Sequence, residues 1–227
     1  MDRGAPFWRA LVYMRKAVFQ RPDFLAAALS LVSEQGPATV TVDSVTQRLN
    51  APKGSFYYRF DSRDALLGEL WLSTILAYQE GFFAALDSGD GLGAALHMPA
   101  WARSHLDDAR LLLLYSRHDF VHGEWPESLK QGVKNQADRL TAGFSRFARD
   151  AFGGTTSTEL QCAAFVLVEA PGAAVKEHIR RRKPPPAHVD ELIRKTYHAI
   201  VPKRSATAKE ITKRRYRRKP EVIEPVR

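Results

Sequence analysis

The segment from Thr41 to Leu67, TVDSVTQRLNAPKGSFYYRFDSRDALL, gathers the side chains of this chain best suited to chemistry, and that chemistry is recognition of a polyanion. Lys53, Ser55, Tyr57 and Tyr58 are hydrogen-bond donors on one short stretch, and no acidic residue lies between Lys53 and Tyr58. Gly54 has no Cβ, so the main chain there can come close to a phosphate. Such donors hold phosphates and read base edges, the two tasks of a DNA-binding helix. Other candidates are weaker. His118 and His122 stand four apart, a spacing that puts two metal ligands on one helical face. No Cys or further His supports them, and Gly123-Glu124-Trp125-Pro126 ends the helix, so they read as solvated histidines. No nucleophile–base pair, phosphate-cradling glycine loop or catalytic carboxylate pair stands out. The chain is expected to be no enzyme and to need no cofactor or metal.

The elements that must position these donors follow from helix punctuation. A first helix starts at Pro22 and stops before Gly36, with Leu25, Leu29 and Val32 as its buried stripe. Thr41 caps a shorter helix whose Val42, Val45 and Leu49 share a face. Asn50 suits the left-handed conformation of a tight turn, and Pro52 opens the next helix, Lys53–Tyr58. Two short helices joined this way form a helix-turn-helix, the geometry in which a second helix can enter the major groove, although the same pairing can be purely structural. The β-branched cluster Ala38–Val42 is the sole strand signal, so the fold class is all-α.

The run Lys53-Gly54-Ser55-Phe56-Tyr57-Tyr58-Arg59-Phe60, followed by Ser62-Arg63-Asp64-Ala65-Leu66, resembles the signature of the TetR family. The likeness spans Asp23 to Leu67. Asn50 stands where that family usually has Gly, and Pro52 where it often has Ser or Thr. The resemblance implies that Tyr57 contacts a phosphate or base, that Arg63 contacts a phosphate, and that Thr41 touches the DNA backbone. Ser55 and Tyr58 become the base readers, and Phe56 and Phe60 become core against Leu29 and Val45. It further implies a homodimer on a near-palindromic, double-stranded DNA operator, usually as a repressor. A small apolar effector would bind among the central helices.

Downstream, helical periodicity continues. A long helix capped at Asp61 or Ser62 runs to about Leu86, and helices follow near 92–105, 107–116 and 127–152. From Thr158 to about Arg181 a helix is apolar on nearly every side, with a kink expected at Pro171-Gly172. Val189, Leu192, Ile193, Thr196, Tyr197 and Ile200 form a stripe beyond Pro184-Pro185-Pro186. This pair of helices is the expected subunit interface. Trp101, His105, Tyr115 and Phe165 could line an effector pocket or be ordinary core. Glu169 could meet a ligand or a second subunit, or lie on an exposed strip.

Four regions result: an N-terminal extension at 1–19, a helix-turn-helix DNA-binding domain at 20–59, a helical ligand-binding and dimerisation domain at 60–202, and a basic tail at 203–227 that is expected to be disordered. Met14, followed by Arg15-Lys16, is an alternative start; otherwise the extension is an arm whose Arg9 and Arg15 reach toward DNA. The net charge is +9 over 227 residues, and +7 of it lies in the tail, where ten Lys and Arg face three Asp and Glu. A basic tail favours an anionic partner. That keeps a second function open, a non-specific architectural DNA-binding protein driven by the tail. Apolar runs stay below the roughly 18 residues of a membrane span, and the N-terminus does not read as a signal peptide. One cysteine, Cys162, fits a reducing compartment, so no membrane partner and a cytoplasmic location are expected.

Overall fold

The computed structural model describes residues 19–121 and 127–202, and no strand occurs among them. The N-terminal extension before Phe19, His122 and the basic tail lie outside the described residues. The helices are α1 (Arg21–Gln35), α2 (Val42–Leu49), α3 (Lys53–Tyr57), α4 (Arg63–Asp87), α5 (Gly91–Ser104), α6 (Leu106–Leu114), α7 (Glu127–Phe152), α8 (Ser157–Ala164), α9 (Ala170–Arg180) and α10 (His188–Ile200).

Two apolar cores are built along this chain. The first joins α1, α2, α3 and the start of α4 through Phe24, Leu31, Val45, Phe56, Phe60 and Leu67, and takes in Leu111 and Phe120 from beyond α5. Within α1 the buried stripe is rotated from the expected one. Phe24, Ala27, Ala28, Leu31 and Val32 are buried, whereas Leu25 and Leu29 are half-buried. Phe24 causes the rotation: it is the largest side chain of the helix and sits edge-on to Phe56 and Phe60, at 5.9 and 6.2 Å between ring centres. Phe56 and Phe60 are core, packed on Phe24. The β-branched cluster after Gly36 makes no strand; Pro37–Thr39 form a single 3-10 turn, and Val40 is fully buried behind it.

The second core lies in the helical body, with Phe82 and Phe83 of α4, Trp101 of α5, Phe147 of α7, Ile179 of α9 and Tyr197 of α10 among its members. α4 belongs to both cores, so a single rigid helix carries the N-terminal unit on the body. Its start is fixed by Ser62, whose hydroxyl accepts a hydrogen bond from the Ala65 amide at 3.0 Å.

The segment expected to be one kinked helix around Pro171-Gly172 is instead interrupted one turn earlier, by a π-helical turn over Phe165–Glu169. Pro171 has no N–H for the carbonyl four residues back, and a wide turn upstream absorbs the break in the ladder. At the centre of this stretch Phe165 is 40% exposed and Glu169 is exposed. Leu192 of α10 is 54% exposed, while Val189, Ile193 and Tyr197 of the same stripe are buried. Among the described residues no helix is long and apolar enough to cross a membrane.

Candidate nucleic-acid interface

The turn between α2 and α3 is set by main-chain chemistry. Thr41 caps α2: its hydroxyl accepts from the Ser44 amide at 3.0 Å, and the Ser44 hydroxyl accepts from the Thr41 amide at 2.8 Å. The other end closes at Asn50, which adopts the left-handed conformation (φ 53°, ψ 41°) as its residue type allows. Ala51 then donates back to the Thr46 carbonyl at 2.8 Å, and Pro52 leads into α3.

α3 has five residues, and Phe56 is its anchor. With Phe56 fully buried, Tyr57 and Tyr58 are left 58% and 86% exposed on the outside of the unit. Gly54 faces open space, with no atom within 4 Å of where a Cβ would stand. Packing within the protein therefore does not demand glycine there, and a close approach from outside would. Ser55 is half-buried. Lys53 is exposed, and its ammonium lies 2.7 Å from the Asp43 carboxylate, which raises the lysine pKa chiefly through that hydrogen bond. So Lys53, Gly54, Ser55, Tyr57 and Tyr58 lie on α3 and its C-terminal end, while Thr41 stands at the N-terminus of α2.

Arg63 differs. Its guanidinium points into the unit, with Nε donating to the Val40 carbonyl at 2.6 Å, Nη2 to the Pro37 carbonyl at 2.9 Å and Nη1 to Asp64 at 2.8 Å. It ties the start of α4 to the turn after α1. Two further latches were not visible in the sequence. Arg48 of α2 grips Glu34 of α1 through two hydrogen bonds of 2.7 Å, and holds that exposed carboxylate down to about 2. Arg21 of α1 pairs with Glu69 of α4 and lies over the Phe60 ring. No local pattern announces either contact, since the partners stand 14 and 48 residues apart.

The five residues expected at an effector site do not converge. Trp101 is buried and stacks on His105, with ring centres 5.2 Å apart, and meets Tyr78 edge-on at 5.3 Å. Tyr115 belongs instead to the first core, beside Phe120 and close to Gly36. Phe165 and Glu169 face outward on the π turn. Two polar groups lie beside Trp101 in this apolar core: His97 Nε2 is 2.8 Å from the Tyr78 carbonyl, and the buried Tyr78 hydroxyl has no hydrogen-bond partner. Burial pushes the Tyr78 phenol and the half-buried Asp108 carboxyl up, and the His97 imidazole down. A separate cavity of about 420 Å³ opens at the far ends of α4, α7 and α10, against Leu86, Arg146, Phe147, Tyr197 and Val201, and none of the five lines it. Among the described residues no group of three or more His, Cys, Asp or Glu is arranged to hold a metal.

A helix-turn-helix with an exposed aromatic and cationic second helix, carried on a helical body, is an arrangement suited to binding DNA. Residues 24–70 match the family model of bacterial regulatory proteins of the tetR family. This match covers the helix-turn-helix unit and the start of α4. Solved structures share the fold. A tetR family transcription regulator from Shewanella sp. PV-4 is 18% identical with a TM-score of 0.58, covering 81% of this chain and 98% of that one. A TetR-like transcriptional regulator from Rhodococcus sp. RHA1 is 17% identical with a TM-score of 0.58, covering 78% and 93%. The transcriptional regulator FadR from Bacillus subtilis, solved in complex with stearoyl-CoA, is 11% identical with a TM-score of 0.59, covering 80% and 98%. No curated protein matches the chain.

Proposed function

We propose that this protein binds a near-palindromic operator as a homodimer, and that an effector bound in the helical body releases it, so that it acts as a ligand-responsive cytoplasmic repressor. The observation that carries the reading is the seating of α3: Phe56 is locked in the core, and this presents Tyr57, Tyr58 and Lys53 outward on a rigid frame. On this reading residues 20–59 are the DNA-binding domain. Tyr57, Lys53, Gly54 and Thr41 hold phosphates, and Ser55 and Tyr58 face base edges. The dimer surface is proposed on α8, α10 and the π turn, where Phe165 and Leu192 leave large apolar side chains exposed.

The effector is proposed to contact the buried Trp101 and Tyr78, with the exposed His105 at the edge of that site. A buried hydroxyl without a partner is costly, and a ligand that accepts its proton offsets that cost. The surrounding rings suit an apolar molecule with one acceptor group. The stearoyl-CoA of the Bacillus subtilis FadR does not transfer at 11% identity.

Selection of bound sequences from a random duplex pool tests the function. An inverted repeat of one short motif supports it, and recovery of unselected sequence overturns it. The architectural alternative rests on the basic tail, and makes a different statement: removing residues 203–227 abolishes binding. Under the operator reading that deletion lowers affinity for operator and random DNA by similar factors.

A further inference from the structure

One buried cation joins the ends of two helices that belong to different parts of the molecule. Arg110 of α6 is 7% exposed. Its Nε donates to the Ser33 carbonyl at 3.1 Å, and its Nη1 to the Ile179 and Arg180 carbonyls at 2.6 and 3.2 Å. Ser33 stands in the last turn of α1, and Ile179 and Arg180 end α9. The last carbonyls of a helix have no partners within it and carry about half a negative charge. Two such ends therefore converge on one guanidinium.

Arg182 reinforces the junction from the other side. It follows α9 in a left-handed conformation (φ 56°), and its Nη2 donates to the Ser33 and Glu34 carbonyls at 3.0 and 2.6 Å. The Ser33 hydroxyl donates in turn to Asp107 of α6 at 2.5 Å. A non-glycine residue holds a left-handed backbone at some cost, and here that conformation begins the chain reversal from which Arg182 reaches α1. The next segment is fastened to α5, because Arg103 donates to the Pro185 carbonyl at 2.8 Å and pairs with Asp190 of α10 at 2.7 Å.

We propose that Arg110 and Arg182 are positioning residues for DNA binding: they lock α1, and through it the recognition helix, to the end of α9, and so set the distance between the two recognition helices of the dimer. The inference rests on the homodimer proposed above. Since α9 continues directly from the π turn with its exposed Phe165, the interface and the helix-turn-helix share a short mechanical path that bypasses α4. Half-site spacing is a geometric property of a dimer, so it is the quantity these arginines control.

The test uses full-length protein with Arg182→Gly and Arg110→Met. Glycine relieves the left-handed backbone while deleting the side chain, so Arg182→Gly decides the matter even if Arg110→Met fails to fold. Each protein is measured on operators whose half-sites are fixed and whose spacer varies by one or two base pairs. Wild type should prefer one spacer by about tenfold or more, and both variants should cut that preference to about threefold or less while selecting the same half-site motif. A role confined to stability would lower the melting temperature and weaken all spacers alike. An unchanged spacer preference in folded Arg182→Gly overturns the inference and leaves the operator reading standing. A wild type that selects one unpaired half-site overturns the dimer reading, and this inference with it.

Discussion

Arg63 Nε donates to the carbonyl of Val40 at 2.6 Å, and this bond joins the first residue of α4 to the chain just before the helix-turn-helix. The resemblance to known regulators had given Arg63 a phosphate. Its donors are instead engaged inside the protein, with the side chain 24% exposed. Arg63→Ala should then destabilise the fold by about 1–3 kcal/mol, since it leaves the Val40 and Pro37 carbonyls short of a charged donor. Operator affinity should fall with an unchanged salt slope. A slope lower by about one unit, with an unaltered melting temperature, would return Arg63 to the DNA.

Tyr57 is the converse case. At 58% exposure it contributes little to packing beyond its contact with the Phe56 ring at 5.4 Å. Tyr57→Ala should weaken operator binding by about 1–3 kcal/mol while the melting temperature stays within a degree or two. Tyr57→Phe separates hydroxyl from ring: full affinity in that variant would show that the ring is what touches DNA. Wild-type affinity in Tyr57→Ala would remove α3 as the reading element.

The contrast between these residues shows what was legible. Short-range grammar was: Thr41 caps the helix expected of it, Ser62 is the one of the two candidates Asp61 and Ser62 that caps α4, Asn50 takes the left-handed turn, and α7 runs from Glu127 to Phe152 as punctuated. Each depends on neighbours a few residues away. Arg63, Arg48 and Arg110 depend on carbonyls and carboxylates that only folding brings near, so their residue type suggested charge and not its destination. The same holds for the aromatic residues of the body. Trp101 and Tyr115 are both aromatic residues of the central segment, yet Tyr115 lies beyond the end of α6 and packs against the other core. The π turn was missed because Pro171 advertises a break without saying on which side the ladder gives way.

His97 should make stability sensitive to mild acid. Burial holds its imidazole below the ordinary value of 6.5, against the opposing effect of its hydrogen bond with the Tyr78 carbonyl. The folded protein thus binds this proton more weakly than the unfolded chain. The stabilisation is fully present above pH 6.5 and is lost as pH falls through the lower folded value. Melting temperature should drop between about pH 7 and pH 5, and His97→Gln, which keeps a donor for the carbonyl without titrating, should flatten that drop. An identical pH profile in the variant would place the sensitivity elsewhere.

Leu192 tests the dimer without disturbing the core. It is 54% exposed on α10, between the buried Val189 and Ile193. Leu192→Glu should leave the melting behaviour of the folded subunit close to wild type while converting a sedimenting dimer to a monomer at micromolar concentration, since a charge on each copy is desolvated in the interface. A wild type that sediments as a monomer, or a variant that remains fully dimeric, would remove α10 from the interface.

Gly91 tests the packing behind that surface. It opens α5, and a Cβ placed on it would stand 2.4 Å from Phe147 Cε2 and 2.5 Å from the Tyr197 hydroxyl oxygen. Those are the rings of α7 and α10, 6.3 Å apart, that line the cavity at the far end of the body. Both rings are largely buried, so neither can swing into solvent without uncovering core. Gly91→Ala should therefore cost about 1–3 kcal/mol from overpacking, despite the better helix propensity of alanine. The strain falls on α10, so the dimer should also weaken relative to the monomer. Pairing the change with Tyr197→Phe removes the oxygen nearest the new methyl group and should recover part of the loss. If Gly91→Ala melts at or above the wild-type temperature, the three helices are not packed as tightly as these distances state, and α10 is free to move without them.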